Sequence, residues 1–178
     1  ETARALAARV AAETDRIDRQ REIPSELAHE IADKGFFRLL VPRSLGGAEL
    51  DFLDYLRIVQ VFGEVDGSTA WCINQNNVFA TNSVRMPEQT AREIWSDRRA
   101  VVSNGPPISS ATAVTVDGGY RLTGRWNFSS GIRHATLGAS LVPIGHRDQG
   151  DDTSSDRREL RTLLIPKEDV HLVDVWQV

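Results

Sequence analysis

The chain has 178 residues, of which 40% are hydrophobic and 26% are charged, with a formal net charge of −4, a composition typical of a globular protein with a sizeable core. Its basic residues are scattered, which argues against nucleic-acid binding. We expect no membrane span, because no apolar run approaches roughly 20 residues. We also expect no secretory leader, because no basic stretch is followed by an apolar one at the start. The single cysteine, Cys72, fits a reducing cytoplasm, and the four histidines lack metal-ligand spacing, so a cytoplasmic protein without a metal site is expected.

Residues 1 to 99 carry helical patterns and are predicted to form an N-terminal helical domain. The helices are predicted over residues 2 to 20, 24 to 35, 52 to 64, 69 to about 83, and from 86 onwards. Asp66-Gly67-Ser68 is placed to cap the fourth of these helices, and Gly35 is placed to end the second. The third is apolar on almost every side, which predicts a buried helix.

Residues 100 to 178 carry strand-like patterns and are predicted to form an incomplete β-domain. Strands are predicted over residues 101 to 104, 111 to 116, 120 to 128, 135 to 144, 161 to 165, and from 171 onwards. The second and third are predicted to form a hairpin around Asp117-Gly118-Gly119. The polar residues 146 to 159 are predicted to be a mobile loop. Helices followed by strands make an α+β arrangement, or two adjoining domains.

Phe128-Ser129-Ser130-Gly131 follows the alternating pattern of the third strand and is the first candidate site. Ser-Ser-Gly is either an ordinary turn or a place where small hydroxyl side chains allow a ligand to come close. Ser103-Asn104-Gly105, at the end of the first strand, leaves the same two alternatives. The amides of residues 74 to 77 lie between apolar residues of a helix and indicate either a helix–helix contact or a pocket wall.

Four segments carry a family resemblance: I-P-S-E-L-A-H-E-I-A-D-K-G-F-F-R-L-L-V-P, L-G-G, G-E-V-D-G-S-T-A-W and G-G-Y-R-L-T-G-R-W-N-F-S-S-G. In this order they resemble the acyl-CoA dehydrogenase superfamily, over the whole chain but only over the family's N-terminal helical and middle domains. The resemblance implies a β-barrel-like middle domain. The family's C-terminal four-helix bundle is absent from this chain, and we therefore expect the chain to be a fragment of a larger polypeptide.

Two departures from the dehydrogenase pattern favour one branch of this superfamily. S-N-G-P-P-I-S-S stands where dehydrogenases usually carry Thr-Glu-Pro and Gly-Ser-Asp, and Phe128-Ser129-Ser130-Gly131 stands where they usually carry Trp-Ile-Thr-Asn. The sequence G-R-W-N-F-S-S-G, followed by His134-Ala135, looks like the flavin-dependent monooxygenases of the same fold.

This resemblance implies the oxygenase component of a two-component monooxygenase, which hydroxylates an aromatic or heteroatom-containing small molecule with O2 and reduced FMN or FAD. The implied partners are a separate NAD(P)H-dependent flavin reductase and further copies of the same chain in a homotetramer. Two alternatives remain open, an acyl-CoA dehydrogenase-type FAD oxidoreductase and a non-catalytic assembly module of the same fold.

The resemblance also implies roles for individual residues. The implied flavin-binding residues are Ser103, Asn104, Gly105, Phe128, Ser129 and Ser130. Phe128 would pack on the isoalloxazine ring, and Ser129 or Ser130 would act as the catalytic hydroxyl near flavin N5 and the C4 oxygen. The implied substrate-binding residues are Asn76, Asn77 and Trp71, although Trp71 fits a core position better. His134 matches a position that is often histidine in this branch, where it would close the flavin pocket or a subunit contact.

Overall fold

The computed structural model describes residues 1–106, 111–145 and 159–175. The loop predicted at residues 146 to 159 lies outside these ranges except for its last residue, and so does the end of the chain after residue 175. No helix within the described ranges is both long and apolar enough to cross a membrane.

The described helices all precede the first strand. They are α1 (Thr2–Ala11), α2 (Thr14–Gln20), α3 (Ser25–Asp33), α4 (Phe52–Gly63), α5 (Gly67–Ala80) and α6 (Glu88–Ser96). The helix predicted over residues 2 to 20 is therefore two helices, and the one predicted to reach residue 83 continues after α5 as a short 3₁₀ turn. The predicted cap is confirmed, because the Asp66 carboxylate accepts a hydrogen bond from the Thr69 N–H at 2.6 Å.

The helix predicted to be buried, α4, is exposed along one face. Only Tyr55 and Phe62 are buried, whereas Phe52, Leu53 and Leu56 are 62%, 64% and 42% exposed. The reason is geometric, since α4 packs against α1 and α5 along one side only. A helix that is apolar on all sides is expected to be buried, but its sequence does not show which part of the protein buries each face.

The strands are β1 (Val102–Asn104), β2 (Thr112–Val116), β3 (Gly119–Thr123), β4 (Leu137–Gly145) and β5 (Leu160–Pro166). β4 is the central strand, and β5 pairs with it in antiparallel fashion along almost its whole length. β1 pairs in parallel with the first residues of β4 and β2 with its last residues. β2 and β3 form the predicted hairpin, whose turn is Asp117-Gly118. Helices followed by a five-stranded sheet confirm the predicted α+β order.

Two strand predictions are not fully confirmed. The strand predicted over residues 120 to 128 is confirmed as far as Thr123, after which Trp126 forms an isolated bridge, whereas residues 171 to 175 form no regular element. Alternation persists beyond Thr123 because Trp126 still packs against the core of the hairpin and β4, which includes Val142 and Ile144. The chain itself has already turned towards the end of β1.

The sheet is fixed to the helices through β1 and the first half of β4. Val101 and Ala135 pack into the helical core, and Trp95 of α6 packs with Val102 and Ala139. These contacts hold the end of β1 beside α5. The division into domains at residue 99 stays a prediction.

Candidate functional site

Residues after β3 lie directly against the end of β1. The Ser103 hydroxyl donates a hydrogen bond to the backbone oxygen of Ser130 at 2.9 Å. Gly105 approaches so closely that a Cβ there would contact the Ser129 hydroxyl and lie 2.6 Å from the backbone oxygen of Asn127. Asn104 is partly buried between these two contacts. The structure therefore brings together residues that the sequence predicted as flavin-binding although they lie more than 20 positions apart.

The serine turn, residues 128 to 131, is held in an unusual backbone conformation. The Ser130 N–H donates to the Phe128 carbonyl at 2.7 Å, and both Phe128 (φ +54°) and Gly131 (φ +79°) lie in the left-handed region. Phe128 does not continue a strand, and it is 73% exposed. A non-glycine residue in the left-handed region destabilises the folded state by about 1–2 kcal/mol. Because the Phe128 ring is exposed, its burial does not offset this cost. Strain of this kind is typical of a binding site.

The hydroxyl of Ser130 is tied to α5. The indole N–H of Trp71 donates to Ser130 Oγ at 3.0 Å, across 59 positions of sequence. Trp71 is 54% exposed, so its assignment to the core is wrong. Trp71, which is bonded to Ser130, and Phe128, two positions before Ser130, both leave much of their aromatic surface exposed.

Asn77 is buried, and its amide is used entirely by the backbone. Its oxygen accepts from the N–H groups of Leu39 and Leu40 at 2.7 and 3.3 Å. Its nitrogen donates to the carbonyls of Phe36 and Ile73 at 2.7 and 2.9 Å. These four bonds leave no free polar atom, and this contradicts the substrate-binding role predicted for Asn77.

Asn76 is equally buried and links three parts of the structure. Its nitrogen donates to the carbonyl of Val102 in β1 at 3.2 Å, and its oxygen lies 3.1 Å from Nε2 of His134. Because an amide oxygen only accepts, Nε2 carries the proton. The bond places Asn76 behind the serine turn, so a direct contact between this amide and a substrate is also contradicted.

His134 is the residue whose role the sequence left least defined. Its ring stacks on Phe37 with centroids 4.9 Å apart and planes inclined by 19°. Burial lowers the pKa of His134 to about 4, and the positive charge of Lys167 contributes to the same shift. A neutral ring locked to Asn76 holds the turn from behind. The nearby serines were the only sequence signal that could have indicated this role.

We expect His134 to make the protein less stable in mild acid. Because its folded pKa of about 4 lies below the unfolded value of about 6.5, the unfolded chain binds more protons between these pH values. The free energy of unfolding should therefore fall by roughly 3 kcal/mol as the pH decreases through this window.

Urea unfolding of the intact protein at a series of pH values measures this loss. His134→Gln should flatten the profile, whereas His29→Gln, at an exposed position of α3, should leave it unchanged. An unchanged slope in His134→Gln would contradict the prediction.

Residues 1–97 match the family model described as "Acyl-CoA dehydrogenase, N-terminal domain". The chain belongs to the acyl-CoA dehydrogenase superfamily. The resemblance predicted from the four sequence segments is thereby confirmed, and so is the helical character of the matched region.

The relatives found include flavin-dependent monooxygenases. The chain is 29% identical over 158 residues to the "Flavin-dependent monooxygenase, oxygenase subunit HsaA" of Rhodococcus jostii (strain RHA1), covering 89% of this chain and 40% of that protein. The crystal structure of 3-HSA hydroxylase from Rhodococcus sp. RHA1 superposes with a TM-score of 0.81 at 27% identity, covering 98% of this chain and 44% of that one.

A further solved structure, XiaF from Streptomyces sp. in complex with FADH2 and glycerol, superposes with a TM-score of 0.78 at 25% identity. It covers 98% of this chain and 45% of its own. The predicted placement in the monooxygenase branch is confirmed by these relatives. The chain spans less than half of the length of each of them.

Proposed function

We propose that the protein carrying this chain is the oxygenase component of a two-component flavin-dependent monooxygenase. Its substrate would be an aromatic or heteroatom-containing small molecule. The observation that carries this proposal is the Ser130 hydroxyl, which Trp71 orients beside the exposed ring of Phe128. The oxygenase-subunit relative and the FADH2-bound structure support the same reading.

The residues of this site fit a flavin. An isoalloxazine ring has flat apolar faces, and the edge around N5 and the C4 oxygen is polar. Exposed aromatic side chains suit the faces, and a hydroxyl on a rigid turn suits the polar edge. When bound, reduced flavin supplies the two electrons with which O2 is split, so that one oxygen atom enters the substrate and the other leaves as water.

The chain's own residues would then have separate roles at the flavin. Phe128 would pack against the ring, and the Ser130 hydroxyl would donate a hydrogen bond to the C4 oxygen or accept one from the N5–H group of reduced flavin. Ser129 lies closer to β1, where it contacts Gly105, and so supports the turn. His134 is a poor candidate for a general base, because with a pKa of about 4 its neutral ring takes up a proton only weakly near neutral pH.

The proposed partners follow from the same function. Reduced FMN or FAD would come from a separate NAD(P)H-dependent flavin reductase, which is supported by the relative named as an oxygenase subunit. We further propose a homotetramer, as the family resemblance implies, and a cytoplasmic location, as the single cysteine indicates.

Ser130→Ala should shorten the time for which the protein protects its flavin from wasteful oxidation. Intact protein loaded with anaerobically reduced flavin is mixed with oxygenated buffer without substrate, and the release of hydrogen peroxide is followed over time. Loss of one hydrogen bond should accelerate the release about tenfold, which corresponds to about 1.4 kcal/mol.

Ser140→Ala is the matched control, because this buried serine of β4 has no hydrogen-bond partner among the described residues. Equal rates in wild type and Ser130→Ala would contradict the assignment of the hydroxyl. Reduction of bound flavin by an acyl-CoA would indicate the dehydrogenase alternative, and an intact protein that binds no flavin would indicate the assembly module.

A further inference from the structure

Trp71 contacts the Ser130 hydroxyl in a way that limits what this hydroxyl can do. Indole nitrogen can only donate, whereas a hydroxyl has one proton and two acceptor positions. At a separation of 3.0 Å, Ser130 Oγ must therefore accept from the Trp71 N–H. The serine keeps its own proton for a different acceptor.

The remaining polar groups of Ser130 are already engaged. Its carbonyl accepts from the Ser103 hydroxyl at 2.9 Å, and its N–H donates to the Phe128 carbonyl at 2.7 Å. Within the described ranges, the hydroxyl proton and the second acceptor position of Ser130 Oγ have no partner. The backbone is thus fixed and the hydroxyl is held from one side, with its proton left for a ligand.

Trp71 contributes too little to the core for this contact to be a by-product of packing. The residue is 54% exposed, while Ile73, two positions later in the same helix, is fully buried. A surface hydrogen bond of this kind adds little to stability, about 1 kcal/mol or less. Its effect on the direction of a hydroxyl is larger, because an unrestrained Ser O–H rotates among several staggered positions.

We propose that Trp71 is a positioning residue, which occupies one acceptor position of the Ser130 hydroxyl and thereby directs its proton away from the indole and towards the flavin. This inference rests on the proposed function and changes the role predicted for Trp71, from contacting the substrate to orienting the serine. Trp71→Phe keeps an aromatic ring and removes only the N–H. Without it the hydroxyl would spend part of its time turned away, and the protection of reduced flavin would weaken.

The first measurement needs no flavin. In intact protein labelled with ¹⁵N at the tryptophan indoles, the Trp71 N–H resonance is the one that disappears in Trp71→Phe. It should shift in Ser130→Ala, which removes its acceptor, and stay in place in Ser140→Ala. An unchanged Trp71 indole resonance in Ser130→Ala would overturn the proposal.

The second measurement is a double-mutant cycle on the release of hydrogen peroxide. Trp71→Phe should accelerate the release about threefold when Ser130 is present, and it should have no further effect in the Ser130→Ala background. Acceleration of equal size in both backgrounds would mean that the indole acts on the flavin or substrate directly, and it would overturn the proposal.

Failure of the proposed function can be told apart from failure of this inference. A wild-type protein that does not slow the release relative to free flavin contradicts the proposed function, and the positioning role with it, even if the indole resonance shifts. A wild-type protein that slows the release, with a Trp71→Phe variant that does so equally well, contradicts the positioning role alone.

Discussion

Asn77→Leu is expected to destabilise the protein by about 4 kcal/mol, although leucine has the same branched arrangement of heavy atoms and is a better helix former. The cost arises because the Asn77 amide pairs with backbone groups of the segment after α3. Removing it leaves the Leu39 N–H and the Phe36 carbonyl buried without their partners, at about 1–3 kcal/mol each. The loss of the second acceptor contact, to the Leu40 N–H, adds to this.

Urea unfolding of the intact protein measures this loss as a shift of the transition midpoint. Gln75→Leu is the matched control, because Gln75 carries the same kind of side chain on α5 but is only partly buried. Its free energy of unfolding should change by less than about 0.5 kcal/mol. A similar loss in both variants would show that the effect comes from the helix and not from the bonds to residues 36–40. A stable Asn77→Leu protein with impaired substrate binding would restore the role predicted from the sequence.

Local signals in the sequence predicted the elements where the cause lies within a few residues. Asp66 caps α5 through a neighbour three positions away, and Gly35, with φ of +80°, lies just beyond α3. The hairpin follows from Asp117-Gly118 between two alternating runs. Each of these features depends on backbone geometry that a short stretch of sequence determines by itself.

Long-range partners could not be predicted in the same way. The amides of α5 could be recognised as unusual, but the groups that bind Asn77 lie up to 41 positions away. Tryptophan is a residue type that is common in protein cores, and only the fold shows that the Trp71 indole reaches Ser130. The alternation of residues 120 to 128 correctly indicated that Trp126 packs against the core, although the regular strand ends at Thr123, but it did not indicate that Phe128 is exposed.

The candidate site shows the same division. That residues 103–105 and 128–130 belong together was implied by the family resemblance, and the structure brings them into contact. Which of the two serine hydroxyls is held by another element could not be read from Ser-Ser-Gly, since both have the same chemistry. The distinction depends on Trp71 of α5, whose indole N–H donates to Ser130 Oγ.

Gly131→Ala is expected to disrupt the serine turn from behind. The residue has φ of +79°, and a Cβ would lie 2.8 Å from Asn76 Oδ1 and 2.9 Å from His134 Nε2. Neither atom can move freely, because Asn76 is bonded to Val102 and the His134 ring is stacked on Phe37. The new methyl group must therefore break the bond between Asn76 and His134 or push the turn outwards. We expect a loss of about 3–4 kcal/mol, of which the left-handed conformation accounts for about 1.

Gly118→Ala separates these two contributions. Gly118 has almost the same conformation, with φ of +81°, but a Cβ there meets nothing within 4 Å. It should therefore lose only the conformational part, about 1 kcal/mol, in the same unfolding experiment. Gly131→Ala should also move the Trp71 indole resonance of the flavin-free protein, because a displaced turn carries the Ser130 hydroxyl with it, whereas Gly118→Ala should not. Equal losses of stability in the two variants, with an unmoved resonance, would mean that the turn is not held by Asn76 and His134, and the geometry behind the proposed donor would then have to be explained without them.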